Sequence, residues 1–291
     1  MTDLLTQLLA NGLVIGATYA LIAIGLTLIF GMMRVVNFAH GEFYMLGAYI
    51  AVSATGDFGL SYFLSVPLAV VLLGIVGWAF ERVLLRPLRG ADILTTALVT
   101  IGLSIFFQNT ALTIWGPKPG YVADPFGDRT VQLLGVAVTE IRLYTLLMAV
   151  AVMGLLGLVI KYTKLGRTMR ATFQDRDAAA LQGIEVERVF SISFVLGVGL
   201  AAIAGSLLAA VFVVSPDMGN MANLKSFAVV ILGGLGNIPG AVLGGFVLGL
   251  AESLAAGYIS TGYKDGVSFL ILILVLLVRP YGLFGREETE S

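Results

Sequence analysis

The feature that most constrains this chain is the alternation of long apolar runs with short stretches that hold most of its charge. A helix needs roughly 20 apolar residues to cross about 30 Å of hydrocarbon. Candidate runs occupy residues 8–33, 43–56, 62–80, 93–115, 141–160, 189–214 and 240–259, with an eighth at 266–284. Only 12% of the 291 residues are charged, against roughly 25% in an ordinary soluble domain. This excludes a soluble globular protein. It predicts an all-α, polytopic integral membrane protein of about eight transmembrane helices plus one short broken or re-entrant segment.

That short segment is residues 226–240, SFAVVILGGLGNIPG, between the sixth and seventh runs. Its apolar part is too short to cross at 1.5 Å per residue. Breaking a helix inside a bilayer frees backbone groups, which is tolerated only where protein or a watery cavity satisfies them. Such discontinuous helices recur at transport sites. Asn, Pro and Gly are also ordinary turn residues, so the stretch reads equally as a hairpin between two packed helices.

Orientation follows from Lys and Arg in short loops. Residues 161–188 carry Lys161, Lys164, Arg167, Arg170, Arg176 and Arg188, and 81–92 carry Arg82, Arg86 and Arg89, whereas 116–140 carries only Lys118 and Arg129. The first two stretches are expected in the cytoplasm and the third outside. Counting back places the N-terminus outside, and Arg279 with Arg286 places the C-terminus inside. Met1-Thr2-Asp3 lacks the positive region of a secretory signal, so the first run is expected to be retained.

A net charge of −1 offers no basic field for nucleic acid. With no Cys and one His, neither a disulfide framework nor a Cys/His zinc site can be built. There is no G-x-x-x-x-G-K-[ST] phosphate loop, no G-x-S-x-G elbow and no H-E-x-x-H pair. No catalytic constellation is present, and energy from ATP would have to enter through another subunit. Gly12/Gly16, Gly236/Gly240/Gly244 and Gly245/Gly249 recur at four-residue spacing, which puts glycines on one helix face and predicts close helix packing.

Polar groups inside apolar runs mark pathways or partners. His40 and Glu42 sit at the lip of the short second run in Asn37-Phe38-Ala39-His40-Gly41-Glu42. They read either as pathway groups or as residues snorkelling to the interface. Glu252, twelve residues into the seventh run, is either a pathway residue or a carboxyl hydrogen-bonded between helices. In residues 164–188, Arg167, Arg170, Gln174 and Asp177 share one helical face and Met169, Phe173 and Ala180 another, with Gly183 as a helix stop. This is either a solvated amphipathic loop helix or a docking helix presenting Ala178-Ala179-Ala180 to a partner.

Three stretches together carry a family resemblance: Arg34–Tyr49 (RVVNFAHGEFYMLGAY), Gly166-Arg167-Thr168-Met169-Arg170-Ala171 through Gln174-Asp175 and Ala179-Ala180 to Gly183-Ile184, and Gly233–Gly245 followed by Glu252. In that order they resemble the permease subunits of branched-chain amino-acid ABC importers, over nearly the whole chain. The resemblance implies a single transmembrane permease domain over 1–291 in a bacterial inner membrane, surrounded by lipid. It also implies a second related permease, two cytoplasmic ATPases that hold ATP and Mg, and a periplasmic binding protein delivering leucine, isoleucine or valine. Gln174–Ile184, with Asp175, Ala179, Ala180 and Gly183, would be the segment seated in the ATPase, flanked by Arg167 and Arg170. Asn37, His40, Glu42, Gly236, Asn237 and Glu252 would lie near the translocation path. The triplet Asp175-Arg176-Asp177 is more charged than such a segment calls for.

The same motifs serve relatives that carry urea, short amides and other amino acids. A reading from another class is an ion- or proton-coupled secondary transporter, which would need Glu252, His40 or Glu42 as coupling groups. The long basic-acidic segment at 164–188 argues against it.

Overall fold

The computed structural model describes residues 2–127, 129–133 and 136–285; Arg286, used above for orientation, lies outside them. The described chain forms α1 (Thr2–Met33), α2 (His40–Gly56), α3 (Tyr62–Phe80), α4 (Ile93–Trp115), α5 (Glu140–Tyr162), α6 (Lys164–Gln174) and α7 (Arg176–Leu181). It continues through α8 (Val186–Leu208), α9 (Met218–Gly233), α10 (Ile238–Tyr258) and α11 (Lys264–Val278). A π-helical turn, Glu81–Leu85, prolongs α3. In the 116–140 loop, β1 (Thr130–Leu133) pairs antiparallel with β2 (Val136–Thr139), Thr130 opposite Thr139.

Among the described residues, seven helices are long and apolar enough to cross a membrane: α1, α3 with its π turn, α4, α5, α8, α10, and α11 with the turn before it. The second expected span, 43–56, is instead the short α2. Its 17 residues cover about 25 Å at 1.5 Å per residue, less than the ~30 Å of hydrocarbon. Every residue from His40 to Tyr49 is buried, as suits a helix apolar on all sides and enclosed by protein. The 226–240 segment also differs from expectation. Helix α9 starts earlier, at Met218, and only residues 234–237 interrupt it before α10.

The interior is built by α1, α8 and α10, with α2 and α9 packed among them. In the most apolar window of α1, 78% of residues are buried and in α8 67%, against 11% in α4 and 6% in α11. The latter two face outward. Lipid gives no hydrophobic drive for helices to associate, so close packing at small residues must hold them. Gly12 and Gly16 of α1 meet Gly245 and Gly249 of α10 in one seam. A Cβ on Gly12 would stand 2.9 Å from the Cα of Leu250, and one on Gly16 2.9 Å from the Cα of Phe246. Gly236 does not share the helix face expected of it with Gly240 and Gly244. It lies in the turn before α10 with φ 79°, a conformation that favours glycine.

Residues 164–188 form two helices rather than one face. The chain turns extended at Asp175 (φ −154°, ψ 116°), whose carboxylate accepts from Ala178 N at 2.9 Å and caps α7. Thr163 caps α6 in the same way through Gly166 N. Gly183, at φ 80°, closes the element as the predicted stop.

Candidate transport site

Two buried carboxylates organise the interior. Glu42, near the start of α2, is fully enclosed. Its Oε1 accepts from Ser104 Oγ at 2.8 Å and Gln108 Nε2 at 3.1 Å, both on α4. Its Oε2 has no hydrogen-bond partner among the described residues. His40, two residues earlier and also fully buried, places Nε2 3.0 Å from the Ile22 carbonyl of α1. Both residues lie inside the protein, so neither snorkels to the interface.

The α1–α2 connection beside them is tied down on several sides. Asn37 Oδ1 accepts from Ala39 N at 3.0 Å, Thr100 of α4 bonds Phe38 N and the Val36 carbonyl, and Asn223 of α9 donates to the Phe38 carbonyl at 2.5 Å. His40 Nδ1, Asn37 Nδ2 and Asn223 Oδ1 are further buried polar atoms without a partner among the described residues. Buried polar atoms are nearly always paired. A concentration of unpaired ones around one connection marks a place able to receive another polar group.

Glu252 is organised differently. Lys225 of α9 pairs with its Oε2 at 2.9 Å, Tyr19 of α1 donates to the same oxygen at 2.7 Å, and Ser268 of α11 donates to Oε1 at 2.6 Å. Lys225 also reaches Asp265 of α11 at 2.8 Å and lies over the Tyr19 ring. Four helices thus meet at one charge cluster. Beside it is a cavity of about 500 Å³ whose wall is mostly apolar, with Leu8, Val14, Ile15 and Phe212 among its residues and Arg142, Lys264 and Glu252 as charged ones. Small-molecule sites are cavities of this kind and size.

Gly236 and Asn237 stand elsewhere. Asn237 caps α10 through Gly240 N at 2.9 Å and donates to the Phe284 carbonyl at 3.1 Å. The turn packs on Phe173 of α6, and a groove of about 530 Å³ between α6 and this turn includes Arg170, Gln174, Gly236 and Asn237. The structure therefore brings these two expected path residues to the amphipathic segment and separates them from both carboxylates. Within that segment Arg167, Gln174 and Ala180 are exposed, while Ala179 is buried. The Arg170 guanidinium donates to the Ile160 carbonyl near the end of α5. Leu181, at the tip, is 90% exposed.

Reading the sequence missed the partners. Lys225 was the available signal, a lone Lys within MANLKSFAVV, since a cation among apolar residues needs a counter-charge. Ser104, Gln108, Tyr19 and Ser268 carry no comparable signal. Also missed was Glu81, wholly buried in the π turn, which pairs with Arg89 and accepts from Ser191 Oγ at 2.6 Å.

Comparison with known proteins agrees with the three sequence motifs. Residues 8–276 match the family described as branched-chain amino acid transport system, permease component. The chain is 40% identical to the high-affinity branched-chain amino acid transport system permease protein LivH of Escherichia coli K12, over 98% of this chain and 97% of the relative. It is 40% identical to the corresponding protein BraD of Pseudomonas aeruginosa, with the same coverage. The permease protein LivM of Salmonella typhimurium is 26% identical over 94% of this chain and 69% of that protein. No solved structure matches. Long apolar helices able to cross a membrane, and a family match along almost its whole length, place this chain in the permease components of branched-chain amino acid transport systems.

Proposed function

We propose that this chain is the transmembrane permease subunit of an ATP-binding cassette importer that carries branched-chain amino acids into the cytoplasm by alternating access. Its whole length, 1–291, serves as one permease domain in a bacterial inner membrane. The first residues lie outside, the 161–188 segment lies in the cytoplasm and the chain ends there. A second, homologous permease completes the path, two partner ATPases bind ATP and Mg and hydrolyse the nucleotide, and a periplasmic protein delivers the amino acid.

The α6–α7 element carries this reading. It stands between two spans, α5 and α8, and ends in an apolar side chain, Leu181, that is 90% exposed. An exposed leucine on a short, doubly capped element suits insertion into a partner's groove. The adjoining contact of Phe173 with Gly31 and Gly236 gives such a partner a mechanical route to the α9–α10 turn and the end of α1. The cavity beside Glu252, with apolar walls and both charge signs, suits a zwitterion with an aliphatic side chain. The ion-coupled alternative is weakened by Lys225, which already neutralises Glu252.

The test is reconstitution of the chain with the subunits that co-purify with it, reading ATP hydrolysis and leucine uptake with leucine-loaded binding protein. Leu181→Asp should leave insertion intact and abolish stimulated hydrolysis and uptake. Full coupling in that variant would sink the docking assignment. Uptake competed by urea or short amides but not by leucine would keep the importer and replace its substrate.

A further inference from the structure

The polar side chains around the Glu252 cavity are not equally free to meet a ligand. Glu252 already accepts from Lys225 and Tyr19 at one oxygen and from Ser268 at the other. Ser253, also on the wall, donates to the Leu8 carbonyl at 2.6 Å. Arg142, in the first turn of α5, differs. Its guanidinium donates from Nη1 to Asn11 Oδ1 of α1, and it has no other partner among the described residues. A guanidinium carries several N–H donors in a rigid fork, so Arg142 is oriented by Asn11 and keeps most of its donors unused.

The charges around the cavity balance unevenly. Arg142, Lys264 and Glu252 line it, and Lys225 and Asp265 stand behind Glu252. Glu252 and Asp265 both pair with Lys225, whereas neither Arg142 nor Lys264 has an ion pair among the described residues. Glu140, two residues before Arg142, falls on a different face of α5. Lys264 is exposed and Arg142 partly buried. The carboxylates here are thus engaged with one lysine, while the enclosed arginine faces no carboxylate.

The cavity lies at the end of the bundle formed by the early turns of α1 and α5 and the last turns of α8 and α10. In the orientation proposed above, that end faces the side from which the amino acid arrives. An amino acid presents a carboxylate, whose two oxygens a guanidinium fork matches in pairs. Urea and short amides present none. We propose that Arg142 receives the carboxylate of the carried amino acid, while Leu8, Val14, Ile15 and Phe212 enclose its aliphatic side chain. This assignment rests on the importer reading, and it names the group that selects an amino acid over a neutral amide.

The experiment is thermal unfolding of the full-length chain, purified with the subunits that accompany it, in millimolar leucine, isocaproate or isoamylamine. Isocaproate keeps the carboxylate and branched chain of leucine, and isoamylamine keeps the chain and the ammonium. A ligand that binds the folded state raises its melting temperature. Leucine and isocaproate should stabilise the parent protein, and isoamylamine should not. Arg142→Gln should weaken binding of both carboxylates about tenfold or more, and Arg142→Lys should retain part of it. No stabilisation of the parent by leucine, equal stabilisation by the amine, or unchanged leucine affinity in Arg142→Gln would overturn the proposal. The comparison of ligands on the parent decides the matter if Arg142→Gln does not fold. Arg142-dependent binding of the carboxylates without ATP-driven uptake would keep this site and remove the importer. ATP-driven leucine uptake undiminished in Arg142→Gln would keep the importer and overturn the site.

Discussion

Glu42 and Glu252 are both carboxylates enclosed by helices, yet their surroundings share almost nothing. Glu252 has a cation at 2.9 Å, two hydroxyl donors and a second carboxylate, Asp265, on the same Lys225. Glu42 has two neutral donors, both from α4, and one oxygen without a partner among the described residues. The first arrangement is a closed knot joining α1, α9, α10 and α11. The second is an open one, in which a buried polar atom can take up another group at little reorganisation. A charge knot resists opening because removing one member strands the others in a medium of low polarity. A carboxyl with neutral partners carries no such penalty. Glu252 thus ties four helices together, while Glu42 keeps one oxygen open to a further partner.

The largest effect that would break this contrast is at Lys225. Lys225→Met should destabilise the protein by about 3–5 kcal/mol, because it leaves Glu252 and Asp265 facing each other without a cation. Thermal unfolding in detergent reads this, and the double variant Lys225→Met/Glu252→Gln should recover part of the loss. If the single variant is as stable as the parent, the knot is no anchor. Next is Glu42→Leu, expected to cost about 2 kcal/mol by leaving Ser104 and Gln108 without an acceptor. Asp175→Ala lies outside both sites and removes only the cap on α7. It should cost about 1 kcal/mol, seen as faster amide exchange confined to 176–181. The smallest change is Glu42→Gln, whose side-chain carbonyl still accepts from Ser104. A loss of roughly 0.5 kcal/mol is expected, and a loss matching that of Lys225→Met would erase the distinction between the two carboxylates.

The two ends of the amphipathic segment give a smaller version of the same lesson. Its polar face was legible as Arg167, Arg170 and Gln174, because helical periodicity shows on the surface whatever packs beneath. Asp175 was not. A charged triplet inside a docking motif looked out of place until the carboxylate proved to be the cap of a second helix. Ala179 and Ala180 are adjacent in sequence and belong to the same predicted patch, but only Ala180 faces outward. A break of one residue resets the helical phase, and nothing local in composition announces it.

The sequence by itself determined the membrane, the family and most of the helices. Apolar run length is set by bilayer thickness, a constraint that each segment meets alone, and α4 therefore falls at 93–115 as read. Tertiary structure decided that the 43–56 run is a short enclosed helix, that Gly236 belongs to a turn rather than a helix face, and that Glu252 is answered by Lys225. It also brought Asn11, Arg142 and Glu252, on three distant stretches, around one cavity. These depend on which helices become neighbours. Lipid does not drive that choice, and the seam of Gly12, Gly16, Gly245 and Gly249 fixes it through contacts made only once two backbones lie side by side.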